Sequence, residues 1–350
     1  MRGPGQPRAA ALAAALGVSL LLCACGVSQA SHGQTTVTRT STGVAAATAS
    51  AATQSASLVL DFTPNAIHSG IYTALADHYD TANGVKLHVI IPGESTDAID
   101  LLAEGKVSFA ILDIHDLAIA DAQGRNLVGI MAIVERPLAS VIAQKQFPNP
   151  RDLAGQRVGV TGDPSDLAVL RSIVAGSGGD PSKLKTITIG YNAVPDLVDG
   201  RVAAATAFWN DEGVQLSHQN PDGFHVFRVE NYGAPPYPEL IVSATRAELR
   251  KDPSLARGLV HALVEGYDAV LKDPKAGERA LESQVSGLSD TAVSEQLKAE
   301  LPAFLPEGGG SYGALKPSIL NAWAQWETKF GIVKHKPDVA TMFDSAFLPK

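Results

Sequence analysis

Three short stretches gather the side chains able to hold a small molecule. In residues 58–74 an apolar run of strand type, Leu58-Val59-Leu60, is broken by Thr63, Pro64 and Asn65. Ile71, Ala74, Leu75 and Tyr79 then fall at helical spacing. This reads as strand, tight loop, helix. Such loops face the carboxyl ends of the strands, where open α/β sheets bind ligands, and a helix start leaves backbone N–H groups free for polar ligand atoms. Asn65 and His68 can add side-chain hydrogen bonds there, and Phe62 an aromatic face. The second stretch, Phe208-Trp209-Asn210-Asp211-Glu212, ends a strand with an aromatic, an amide and two acids within one turn. The third runs from Tyr232 to Leu240 and carries Tyr232, Tyr237 and Glu239 among three prolines. The chemistry on offer is ring stacking and hydrogen bonding.

Other positions read two ways. Asn65 and Asp113 also suit helix capping, Tyr72 also suits a helix core, and Tyr237 also suits packing in a turn. Glu94 and Ser95 lie on a loop expected to face a cleft, without a fixed role, and Tyr191 is a further stacking candidate. Glu135 and Arg136 precede Pro137 as a lid-side pair or as cleft lining. Trp323 and Trp326 lie on a helix and read as core. His-Glu-x-x-His and P-loop patterns do not occur. The only cysteines are Cys23 and Cys25, so disulfides, thiolate metal sites and a catalytic cysteine are excluded from the folded part. No cofactor is expected. The net charge of −8 argues against nucleic acid as a partner.

The elements that position these residues follow from the alternation of patterns. Strands are expected at residues 85–91, 107–112 and 127–134, with helices between them, which indicates a mainly parallel layered sheet. A second βα series begins at Arg157, with Asp163 as an expected N-cap and Pro164 at the first helical position, and continues through strands at 184–189, 202–208 and 224–229. Asp100-Leu101-Leu102-Ala103-Glu104-Gly105-Lys106-Val107 echoes Asp196-Leu197-Val198-Asp199-Gly200-Arg201-Val202, as two similar lobes would. From Ala247 the chain turns helical, with Leu255, Leu259, Leu263 and Tyr267 on one face. The simplest topology places 57–139 plus 243–350 in lobe one and 140–242 in lobe two. Residues 140–144 and 240–244 are then paired hinge strands, and two crossings allow closure.

At the N-terminus, Arg2 and Arg8 precede an apolar stretch too short to span a membrane, which needs about 20 residues. Leu22-Cys23-Ala24-Cys25-Gly26 has the form of a bacterial lipobox, so residues 1–25 read as a lipoprotein signal peptide ending at a lipidated Cys25. An ordinary signal peptide cleaved at Ala24 or Ala30 is the alternative. Residues 26–57, rich in Ser, Thr, Ala and Gln, read as a flexible tether. The expected location is extracytoplasmic, anchored by lipid to the bacterial cell membrane.

Asp-Phe-Thr-Pro-Asn-x-x-His-x-Gly-Ile-Tyr-x-Ala (61–74), the Trp-x-x-Glu of Trp209 and Glu212, and Tyr-Gly-x-Pro-x-Tyr-Pro-Glu (232–239) occur in that order. Together they resemble the substrate-binding proteins of the NMT1/THI5-like family, which serve thiamine-pyrimidine and riboflavin uptake through ABC importers. The resemblance implies a two-lobed type II periplasmic-binding-protein α/β fold with a two-strand hinge, here with extra C-terminal helices. It implies a monomer that binds a planar heteroaromatic without turnover, with an ABC permease and its ATPase as partners. Phe62, Tyr72, Tyr191, Trp209 and Tyr232 would stack on the ring, Asn210 and Glu212 would meet an aminopyrimidine edge, and Asn65 and His68 a hydroxyl or carbonyl. Tyr237, Asp113, Glu94 and Ser95 complete the candidate set. Alternatives are a nitrate- or sulfonate-type solute binder, a ligand sensor, or a pyrimidine-biosynthesis enzyme of the same fold. The enzyme branch carries a cysteine-rich iron motif that is missing here.

Overall fold

The computed structural model describes residues 53–93, 97–305 and 309–350. The expectations for Cys25, for most of the tether, and for Glu94 and Ser95 lie outside these residues.

The first lobe is built on β1 (Gln54–Val59), β2 (Val85–Ile90), β3 (Phe109–Asp113) and β4 (Leu127–Val134). These alternate with α1 (Ser69–Ala76), α2 (Tyr79–Ala82), α3 (Asp97–Ala103) and α4 (Ile114–Ala122). β1 begins inside the stretch assigned to the tether, because Ala56 and Leu58 bury their side chains in the sheet. The chain then crosses and enters the second lobe through β5 (Ala139–Gln144). There β6 (Arg157–Val160), α5 (Asp166–Gly176), β7 (Lys185–Thr188), α6 (Ala193–Val198), β8 (Ala204–Phe208), α7 (Glu212–Gln219) and β9 (Phe224–Arg228) follow. α5 starts at Asp166, three residues after the expected N-cap. Asp163 instead accepts the Thr161 hydroxyl in the preceding turn, at 2.9 Å. The return crossing ends in β10 (Leu240–Thr245).

The sheets run β2-β1-β3-β10-β4 and β7-β6-β8-β5-β9. In the first, β10 is antiparallel to β3 and β4; in the second, β5 is antiparallel to β8 and β9. Each lobe thus contains one reversed strand, in the same place, and that strand is the one arriving from the other lobe. β5 and β10 therefore do not pair with each other, as a hinge ribbon would require, because each is consumed by its own sheet. The sequence echo falls on equivalent turns, α3 to β3 and α6 to β8. Gly105 and Gly200 both sit at φ +68°, a left-handed value that costs other residues strain.

The first core lies between the first sheet and the C-terminal helices. Leu58, Ile111 and Val242 pack with Leu259, Leu263 and Tyr267 of α9 (Pro253–Lys272). α9 follows the short α8 (Arg246–Lys251) and lies against α1. Gly70 and Gly266 permit this close approach: a Cβ on Gly266 would sit 2.1 Å from the Gly70 carbonyl oxygen. α10 (Pro274–Glu282) also packs on α1. α11 (Asp290–Glu300) touches both the turn at 66–68 and α7, and so reaches both lobes. α12 (Pro317–Lys329) buries Trp323 and Trp326, as expected of core. The last expected helix is broken into α13 (Val339–Met342) and a single turn, Ser345–Phe347. Between them Phe343 bridges Gly129 at the edge of β4 and blunts that edge.

Candidate functional site

Between the two sheets lies a cavity of ≈ 90 Å³, room for a small molecule rather than a single water. Its walls come from strand ends on both sides. Asp61 and Phe62 follow β1, Leu112 and Asp113 end β3, Thr161 follows β6, and Ala207 and Phe208 end β8. Asp116 of α4, Asp166 of α5 and Glu212 of α7 project from the first turns of their helices. Asp61, Asp113, Asp116, Asp163, Asp166 and Glu212 give the described lining six carboxyl groups and no Lys, Arg or His. Burial, with the neighbouring Asp113 and Asp163 next, holds the Asp116 carboxyl well above the usual carboxylate range. Burial likewise raises Asp166. Glu212 is pushed up to about 8, by burial first and then by the charge of Asp211.

The loop after β1 is locked by its own side chains. Asn65 Oδ1 accepts the Ile67 N–H at 3.0 Å, and His68 Nδ1 accepts the Asn65 N–H at 3.1 Å. With Nδ1 used as an acceptor, His68 carries its proton on Nε2 and donates it to Asp61 Oδ1 at 3.0 Å. The fully buried His68 therefore aims Asp61 at the cavity without entering it.

Several bridges tie the lobes across the cleft. Asn65 Nδ2 donates to Asp211 Oδ2 at 3.0 Å, and the Asp116 carboxylate accepts the Ser165 N–H at 2.8 Å. The Tyr191 hydroxyl donates to the Asp61 carbonyl at 3.3 Å, and its ring meets Phe62 edge-on at 4.4 Å. From α11, Glu300 accepts Asn210 Nδ2 at 2.9 Å, and Gln296 donates to Asp211. This is a closed arrangement.

Of the candidates read from sequence, the structure brings Phe62, Asp113, Tyr191 and Glu212 together at the cavity. Asn65, His68 and Asn210 position its walls. The others stand elsewhere. Trp209 does not face Phe62: its ring lies under the Arg228 guanidinium at 3.7 Å and its indole N–H donates to the Pro137 carbonyl at 3.0 Å. Tyr72 is lobe-one core. Tyr232 packs edge-on against Phe227, and its backbone abuts Gly176 of α5. Tyr237 is fully buried behind the cavity floor against His115. Arg136 is exposed, and Glu135 is buried away from the cavity. Lining residues not singled out as ligands include Asp61, Asp116, Asp163, Asp166 and Phe208, with Ser140, Thr161, Ser165 and Thr206. Asp163 and Asp166 were visible only as acids near a helix start, which capping alone explains.

Behind the floor lies a buried polar cluster. The Glu239 carboxylate accepts the N–H groups of Leu138 and of Ala139, the latter at 2.9 Å, so one crossing segment holds the other. Glu239 is pushed up to about 7, chiefly by burial.

The family model described as "NMT1/THI5 like" matches residues 65–277, more than half of the chain. The formylaminopyrimidine-binding protein of Halalkalibacterium halodurans is 28% identical over 277 residues, covering 78% of this chain and 84% of that protein. A 4-amino-5-hydroxymethyl-2-methylpyrimidine phosphate synthase of Saccharomyces cerevisiae is 19% identical over 315 residues, covering 85% of this chain and 88% of that one. Among solved structures, the alkanesulfonate-binding protein SsuA of Xanthomonas axonopodis pv. citri, bound to MOPS, superposes with a TM-score of 0.67 at 15% identity. That match covers 84% of this chain and 99% of that one, and it identifies the fold as that of the periplasmic binding proteins.

Proposed function

Because the chain belongs to the NMT1/THI5-like family, we propose that it is an extracytoplasmic solute-binding lipoprotein that delivers an amino-substituted pyrimidine of the thiamine-precursor type to an ABC importer. The observation that carries this reading is the cavity lining, with six carboxyl groups, no basic side chain, and the rings of Phe62, Tyr191 and Phe208. Such a lining favours a flat ligand rich in N–H donors or weakly basic. It disfavours nitrate or a sulfonate, whose charge would face carboxylates with no cation to offset them. A protonated Glu212 can donate to a ring nitrogen, and an ionised one can accept from an exocyclic amine. Offset stacking on Phe62 or Tyr191 adds about 0.5–1.5 kcal/mol beyond area burial. A single pyrimidine ring suits a space of ≈ 90 Å³ better than riboflavin with its three fused rings and sugar-alcohol chain.

The lobes proposed to close on the ligand are 57–139 plus 243–350 and 140–242, and Cys25 is the proposed site of the lipid anchor. Binding without turnover is the reading for the chemistry. The similarity to a pyrimidine synthase keeps an enzyme as the second reading, and a ligand sensor remains the third. Native mass spectrometry of the purified protein, followed by calorimetric titration with formylaminopyrimidine, hydroxymethylpyrimidine, riboflavin, nitrate and taurine, tests the proposal. An aminopyrimidine should co-purify and bind most tightly. Preferred binding of an anion, or catalytic formation of a modified pyrimidine, would sink it.

A further inference from the structure

Asp113, His115 and Glu239 each offer one ligand atom, and these atoms lie within 4.8 Å of one another. His115 and Glu239 are fully buried. Their facing atoms, His115 Nε2 and Glu239 Oε1, have no hydrogen-bond partner and stand 3.9 Å apart, too far for a hydrogen bond and right for a shared ion. The other ring nitrogen, Nδ1, lies against the Glu327 carboxylate, with Trp323 Nε1 at 3.2 Å from it. With Nδ1 occupied by Glu327 and by the Trp323 indole N–H, Nε2 is the ring nitrogen that faces Glu239 and Asp113. A cation bound there would take the place of the Nε2 proton and offset the two buried carboxylates. The carboxylate behind the imidazole is also the usual partner of a metal-bound histidine. Glu239 turns Oε1 toward His115 and Asp113, because its Oε2 accepts the Leu138 and Ala139 amides. Asp113 opens onto the cleft cavity and so provides a path of entry.

We propose that Asp113, His115 and Glu239 form a divalent transition-metal site of the zinc type beneath the floor of the cleft, with Glu327 orienting the histidine. One imidazole with two carboxylates suits Zn²⁺ or its neighbours in the first row better than Mg²⁺ or Ca²⁺, which favour all-oxygen sets.

The test uses full-length protein stripped with a chelator and titrated with zinc chloride alone. The parent should take up one equivalent that Glu239→Gln and His115→Gln lose or hold far more weakly, while Glu327→Gln weakens it by about 10–100-fold, as expected of an outer-shell carboxylate. Circular dichroism of the metal-free forms separates ligand loss from misfolding. X-ray absorption of the parent at one equivalent gives a readout that needs no variant, and should show nitrogen and oxygen neighbours only. A parent that takes up no zinc, folded variants that match the parent in stoichiometry and affinity, or a spectrum dominated by sulfur would each overturn the assignment.

Discussion

Asn65 Nδ2 donates to Asp211 Oδ2 at 3.0 Å across the cleft, while Asn65 Oδ1 caps the turn beneath it. One amide thus serves the local fold and the closed state together. Asn65→Ala should cost about 1 kcal/mol of stability through the lost cap. It should also lower ligand affinity by roughly tenfold, since it removes a bridge that holds the two lobes together over the cavity. Thermal melts and titration of the same variant separate the two effects. Unchanged affinity alongside the expected loss in stability would make the bridge incidental to closure.

The aromatic residues make opposite predictions. Phe62→Ala or Tyr191→Ala should weaken binding by about 2–4 kcal/mol, the range for a buried aromatic hot spot. Trp209→Ala should leave affinity nearly intact and lower the melting temperature, because its indole packs and hydrogen-bonds away from the cavity. A parent-like Phe62→Ala beside a non-binding Trp209→Ala would place the ligand elsewhere.

This contrast marks how far sequence could reach. The alternation of strand and helix patterns conveys both sheets, and the loop at 61–68 is visible as a ligand loop because turn residues, an amide and a histidine coincide. The side toward which Trp209 turns is set by Pro137 and Arg228, far away in the chain, and no local pattern encodes it. Likewise Asp116 and Asp166 look like ordinary first-turn acids until two helix starts from different lobes converge on one cavity. The reversed β5 and β10 were legible as strands, but their exchange between sheets is a long-range property.

Glu212 gives a pH dependence of defined sign. Its folded value is raised to about 8 from the ordinary 4.5, mainly by burial. Between those values the folded protein holds a proton that the unfolded chain has released, so stability falls as pH rises through the window. Asp116 and Asp166 are shifted in the same direction. The melting temperature of the ligand-free protein should therefore decline from about pH 5 to pH 9, and Glu212→Gln should flatten that decline and melt higher than the parent at alkaline pH. A variant whose pH profile overlays the parent's would mean that Glu212 is ionised throughout.

The anchor is tested separately. Cys25→Ser should abolish lipidation and release the protein from membranes or leave its leader uncleaved. A Cys25→Ser protein that fractionates with membranes and is processed like the parent would remove the lipoprotein reading while leaving the binding reading intact.

The last prediction concerns how the scaffold positions the site from a distance. The Tyr267 hydroxyl donates to the Ile67 carbonyl at 2.7 Å, which fixes the turn that carries Asn65 and His68. Tyr267 reaches that carbonyl because α9 lies backbone to backbone on α1, with Gly266 facing Gly70. A Cβ at Gly266 would meet the Gly70 oxygen at 2.1 Å and Ala74 Cβ at 3.0 Å, and a carbonyl in a helix cannot yield as a flexible side chain would. Gly266→Ala should therefore push the helices apart and cost about 1–3 kcal/mol, as overpacking does. It should also displace the loop and weaken ligand binding, although Gly266 is not among the residues lining the cavity. Tyr267→Phe isolates the second effect, because it removes the hydroxyl and leaves the packing. Its loss in affinity should exceed its loss in stability relative to Gly266→Ala. If Tyr267→Phe binds like the parent, the loop is held by Asn65 and His68 alone and α9 contributes only to stability.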